Sequence, residues 1–403
     1  MPFIRRVVIP HQIMEDNVKV KAKAALTEIV KALTVPLAEE ETKTGFLKLK
    51  ETPRVAVSGA LSEVQEFFQK SRWTDGLPII PPTEENVREM LKGTSHPPDK
   101  VVVEKFLPEP WKVTVEKVAI NGIMAGCKPA HMPILLAMAE AFSKGAFHSS
   151  VRSTTSFSFM TVVNGPMAEK AEMNSGMNAL GPCNPANASI GRALRLFIIN
   201  LGGSWPGIND MSSIGNPTKY AFAFAENEAR SPWEPFHVEQ GFKKDESAVT
   251  ILVGGWYLSS PGHVAYGKPI EVLHGLCREL KYVPLPWGAT VILDPTSAKI
   301  LAKAGLSKPD IKKFLWENTI VTAKEFRNGW GYSTFIEPSI KGGIYGKQKT
   351  WPEAYLTAPD ETPVRVYTHP DAISILVAGG ESNDFYQIWK MGWPVTASID
   401  KWK

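Results

Sequence analysis

Residues 248–257 read AVTILVGGWY and residues 289–294 read ATVILD. Both runs are apolar with hardly any alternation, the pattern of strands in a sheet covered on both faces. Between them, Ile270–Leu280 repeats apolar residues at helical spacing. The alternation continues outward. Upstream, 113–120 (VTVEKVAI) and 156–165 (SFSFMTVVNG) read as strands, and Met132–Phe142 and Pro185–Asn200 as helices. Downstream, Ser297–Ala304 and Pro309–Trp316 read as helices, 364–368 (VRVYT) and 373–380 (ISILVAGG) as strands, and Asn383–Lys390 as a short helix. Such alternation predicts an α/β fold: mixed or mostly parallel sheets with covering helices.

Ahead of this region, residues 59–112 read as helix, loop, helix. Leu61, Val64, Phe67 and Phe68 share one helical face, and Thr83 caps a helix over Glu84–Leu91 that stops at Gly93. Residues 1–58 read as a helical or extended arm, with PLAEEETKTGFLKLKETP (36–53) as a charged connection. The α/β region is 113–403, divisible into 113–260 and 261–403. The stretch 202–247 carries little regular pattern, and structureless loops of that length usually serve a site.

Composition narrows the class. Of 403 residues, 45 are Lys or Arg and 41 Asp or Glu, a scattered excess of +4 that argues against a nucleic-acid surface. No run approaches the ~20 apolar residues of a membrane helix, and the N-terminus has no signal-peptide core. Three cysteines do not make a disulfide scaffold. The expectation is a cytoplasmic, oligomeric protein that binds neither nucleic acid nor membrane.

Two segments echo one another. Asn121-Gly122 precedes Cys127-Lys128-Pro129-Ala130, and Asn164-Gly165 precedes Cys183-Asn184-Pro185-Ala186. Read as strand, turn and helix start, each places a cysteine near free N–H groups that favour a thiolate. Three readings stay open: small buried residues, Cys127 as an activated thiolate or ligand, or a Cys127/Cys183 redox pair. Cys277, in an apolar helical run, is packing.

The densest polar block is 174–192. Asn178, Asn184, Asn187, Ser189 and Arg192 surround a helix start, a ready anion site for carboxylate or phosphate. The alternative is a structural turn with Arg192 paired to a neighbouring acid. Further on, Lys219 and Tyr220 offer a general acid and an oxyanion donor. Glu226 and His237 flank Trp233 in a Pro-rich loop and are candidates for proton transfer. Trp205, Trp233 and Trp256 would supply aromatic walls. No zinc spacing occurs, since Cys127 and His131 alone are too few ligands. Neither a dinucleotide glycine pattern nor a Walker motif is present, so no metal is expected and the cofactor is left open.

The runs 71–83 (SRWTDGLPIIPPT), 174–196 (NSGMNALGPCNPANASIGRALRL) and 222–241 (FAFAENEARSPWEPFHVEQG) resemble a bacterial family of about this length, often labelled thiol-disulfide oxidoreductase-like. The resemblance runs from about residue 60 onward. It implies a smaller companion subunit with a Cys-Gly-Ser-Cys or selenocysteine-Gly-Ser-Cys motif. It also implies that Cys127 recurs while the position of Cys183 is often glycine. This chain has no Cys-x-x-Cys and cannot be the thiol-carrying component.

The resulting expectation is the large subunit of a heteromeric enzyme. It would cleave or add across a carbon–heteroatom bond of a small anionic substrate, with the partner supplying the reactive Cys or Sec. Two alternatives stand beside it: a self-sufficient lyase or hydratase using Glu226, His237 and Lys219, or a non-catalytic binding or scaffold subunit.

Overall fold

A computed structural model describes residues 18–36, 54–145, 147, 149–258, 268–281, 288–329, 331–341, 351–381 and 384–403. Two units divide at Val64/Gln65. In the first, Val18–Thr34 is a helix whose Val20, Leu26, Val30 and Leu33 are exposed. Of the charged connection read over 36–53, only Pro36 lies within the described residues.

The second unit is α/β. Thr83 caps the Glu84–Leu91 helix as its spacing predicts, accepting the Asn86 N–H at 3.2 Å. Strands β1 (Val101–Phe106) and β2 (Trp111–Thr114) form an antiparallel hairpin. The expected strand over 113–120 ends at Thr114, which caps a helix over Val115–Ala125. The reason is visible in the spacing. Val115, Val118, Ala119, Gly122 and Ile123 are all buried and recur at helical intervals, and adjacent apolar residues disguised that period. Asn121-Gly122 therefore lies inside a helix while Asn164 ends a strand, so the two Cys-x-Pro-Ala segments are not equivalent units.

Six strands make the main sheet: β3 (Ser158–Asn164), β4 (Ala223–Ala225), β5 (Ala248–Leu258), β6 (Ala289–Leu293), β9 (Ile373–Val377) and β10 (Tyr386–Ser398), in the order β4-β3-β5-β10-β6-β9. The other two, β7 (Ile320–Thr322) and β8 (Pro363–Arg365), pair separately. Pairs β3/β4 and β6/β9 are parallel, and the remaining neighbours antiparallel. The expected helix over Asn383–Lys390 is instead the start of β10, although Asn383 itself is not described. Tyr386 and Ile388 enter one core cluster and Trp389 and Met391 the other, as a strand covered on both faces requires.

The sheet is curled. Met160, Phe224, Leu252, Ile292, Leu376 and Met391, one from each strand or its immediate edge, meet in a single cluster on the inner face. The Asn227 N–H, just past β4, bonds to Val377 O in β9 at 2.7 Å and ties the two edges together. The two halves share an element order: helix, strand, helices, parallel strand, antiparallel strand. The first half starts at the Met132–Lys144 helix and ends at β5; the second starts at the Pro269–Lys281 helix and ends at β10. Glu226 N–H bonds to Val163 O, as Ala378 N–H bonds to Leu293 O, so Glu226 and Ala378 hold corresponding places.

Candidate functional site

The asparagine-rich loop is closed upon itself. Asn187, 3% exposed, accepts the Asn174 N–H at 2.9 Å and donates to Asn174 O and Ala179 O. Asn184 donates to Asn178 O and Gly181 O and accepts from Asn174 Nδ2. Its side chain makes no capping hydrogen bond to the Pro185–Asn200 helix that it precedes. Asn178 donates to Pro182 O at 2.7 Å. Arg192 is spent as well. Its Nε and Nη2 bind Asp75 at 2.9 and 2.8 Å, and Nη2 also reaches Leu77 O and Pro78 O. Burial pushes the Asp75 carboxyl up, but the Arg192 bonds and charge outweigh it and hold it below its usual value. The expected anion site at Arg192 is thus a rivet holding the 71–83 loop. Ser189, half-buried on the same helix, has its Oγ 3.1 Å from where a Cβ on Gly126 would stand.

The cysteines are no better placed. Cys127 follows the left-handed cap Gly126 at the end of a helix, two residues before the Pro129–His131 turn, and burial pushes its thiol far up. That weighs against the activated-thiolate reading, because a half-buried thiolate there would lose hydration with no cation supplied in exchange. Cys277 is buried, its thiol also raised by burial. Cys183 is exposed with φ +68°, a left-handed conformation that favours glycine. Trp233 packs on the second-half core and donates Nε1–H to Leu306 O at 2.9 Å. The Trp256 side chain lies outside the described ones.

Glu226 and His237 do come together, in a buried knot at the carboxyl ends of the parallel pair β3/β4. Glu226 Oε2 accepts from Asn164 Nδ2 and from the Phe236 N–H, both at 2.7 Å. Its Oε1 has no hydrogen bond and lies 3.7 Å from Lys308 Nζ. Glu228 Oε1 accepts from Asn164 Nδ2 and the Gly165 N–H and stands 3.9 Å from His237 Nδ1. His237, fully enclosed, has Nε2 3.0 Å from Lys243 O. Burial pushes the Glu226 carboxyl up, against the pull of Lys308. In the second half, apolar Ala378 stands where Glu226 stands in the first.

Lys219 sits elsewhere, in a cleft at the opening end of β3. Gly191, Leu194, Arg195 and Ile198, one stripe of the Pro185–Asn200 helix, form one wall. Phe157, Ser158 and Phe159 form another, and Asp210, Thr218, Lys219 and Phe222 the third. Gly191 allows this approach, since a Cβ there would meet Phe222 N at 2.7 Å. Lys219 Nζ bonds both Asp210 oxygens, at 3.1 and 2.9 Å, and Ser212 Oγ at 2.6 Å. Its donors are therefore used up. Arg195 makes one bond, 3.3 Å to Asp210 Oδ2. Most of its donors have no protein partner among the described residues. Ser158, 1% exposed, also lines the cleft, and its Oγ has no hydrogen bond. Burial pulls Arg195 and Lys219 below their usual values, against the opposing pull of Asp210. Burial raises Asp210, but Ser212, Lys219 and Arg195 hold it low. Two cations thus face one carboxylate. The enclosed space is small, about 20 Å³, room for about one water or one ligand oxygen.

Ser158 and Asn164 are the two ends of β3, so the cleft and the Glu226 knot are roughly 20 Å apart at ~3.3 Å per residue. Lys219 cannot act on the same bond as Glu226 and His237. Arg195 and Ser158 were missed in the sequence. Arg195 follows Arg192 by three residues, and Ser158 opens a strand that also carries Thr161 and Asn164. Compared with family profiles, curated proteins and solved structures, the chain matches none. Among the described residues no group of three or more His, Cys, Asp or Glu is placed to hold a metal, and no helix is long and apolar enough to cross a membrane.

Proposed function

We propose that this chain is the large subunit of a heteromeric bacterial enzyme. It holds a small anionic organic substrate while a smaller partner supplies a reactive Cys or Sec to a carbon–heteroatom bond. The observation that carries the reading is Arg195, a largely enclosed guanidinium, its side chain 11% exposed, with unspent donors in a cleft where cations outnumber carboxylates. A charge so enclosed favours an anion in place of water. The raised thiols of Cys127 and Cys277 support a nucleophile from outside the chain.

The test is turnover of small organic anions by the chain with and without the Cys-Gly-Ser-Cys-type subunit. The reading expects turnover only with both, lost in Arg195→Gln and kept in Cys127→Ala. Turnover by the chain alone that disappears with Cys127→Ala sinks it. A self-sufficient lyase is disfavoured by the separation of Lys219 from Glu226 and His237. A binding or scaffold subunit would bind the same anions without turnover in any combination.

A further inference from the structure

We infer that the ligand of the Arg195 cleft is a monocarboxylate with a short apolar tail, its head taken by the Arg195 fork and the Ser158 hydroxyl. This rests on the anion-binding reading above and narrows it to a chemical class. Three observations point the same way. The first is charge: Arg195 and Lys219 against Asp210 leave one positive charge, which a monoanion cancels and a phosphate dianion overshoots. The second is shape. Arg195 has an open planar fork that matches two carboxylate oxygens, and the cleft opens outward from a narrow enclosed depth that takes about one of them, leaving the rest of the ligand along the mouth. A tetrahedral phosphate would leave its remaining oxygens against apolar walls. The third is the lining, where Phe159, Leu194 and Phe222 are all buried and line the cleft beside the polar groups. That surface suits a hydrocarbon tail. Ser158 Oγ is the independent mark of a ligand, since a hydroxyl buried without a partner is costly unless something occupies it.

The experiment is isothermal titration of the full chain with butyrate, butyramide and inorganic phosphate, repeated on Ser158→Ala and Arg195→Lys. Butyrate should bind at least tenfold more tightly than its neutral amide and than phosphate. Ser158→Ala should weaken butyrate several-fold while melting temperature stays level or rises, because the hydroxyl bonds nothing in the protein. Arg195→Lys should weaken it at least tenfold by losing the fork. If Arg195→Lys misfolds, Ser158→Ala still decides. Phosphate binding more tightly than butyrate overturns the carboxylate assignment and leaves the anion reading standing. No anion binding at all overturns both. Butyrate binding unaltered by Ser158→Ala and by a folded Arg195→Lys puts its site elsewhere and overturns the inference.

Discussion

The asparagine loop and the Arg195 cleft are built from similar residues on the same helix, and they differ in how much bonding capacity they leave over. In the loop Asn174, Asn178, Asn184 and Asn187 bond the loop's own backbone, and Arg192 saturates Asp75. In the cleft, three residues further along the helix, Arg195 makes one long bond and Ser158 none. Polar density is therefore a poor guide to a site. A region whose donors and acceptors cancel is architecture, and one that leaves an enclosed remainder can bind.

Substitutions can break that comparison. The largest effect is expected from Arg192→Ala, which strands the Asp75 carboxylate, 2% exposed, without its partner. Breaking a buried pair typically costs about 3–5 kcal/mol. Urea unfolding should show it, with anion affinity per folded molecule unchanged; an altered affinity would put Arg192 back in a site. Asn187→Ala should lose about 2–4 kcal/mol, because it leaves enclosed backbone groups at Asn174 and Ala179 unpaired.

Glu226 sharpens the contrast through pH. Its folded carboxyl is raised above the usual 4.5 by burial, so between that value and the raised one the native state holds more protons than the unfolded chain. Stability must then fall as pH rises through that window, by at most ~1.4 kcal/mol per pH unit. Glu226→Gln should flatten that part of the melting-temperature profile. An unchanged slope would assign the fall to another group. The smallest effect is Cys183→Gly. It relieves a left-handed non-glycine residue at some entropic cost, for a net gain of about 0.5 kcal/mol in chemical denaturation. A loss there would mean the thiol side chain contributes packing.

Much of the fold was legible where local and global signals agree. Pro185 at a first helical position and the apolar runs of β5, β6 and β9 gave their elements directly. The failures have a common cause. In 113–123 adjacent apolar residues blur the buried helical stripe, and in 386–391 both faces are buried, so the apolar period that separates helix from strand is filled in. The site was less legible. Arg192 and Arg195 are the same residue type three positions apart, and only the partner from 75 spends one and not the other. That pairing lies 117 residues away in sequence, beyond any local pattern.

β10 is the last of the six strands in chain order and sits at the middle of the sheet, bonded along one side to β5 and along the other to β6. During synthesis the first half can form its βαβ portion, but its long strand waits with one edge open until residues 386–398 leave the ribosome. An open edge of that kind is the usual route to misassembly. The order of manufacture therefore makes β5 a segment that needs shielding, and a chain cut short before Tyr386 should accumulate as aggregate even though every residue lining the Arg195 cleft is already present.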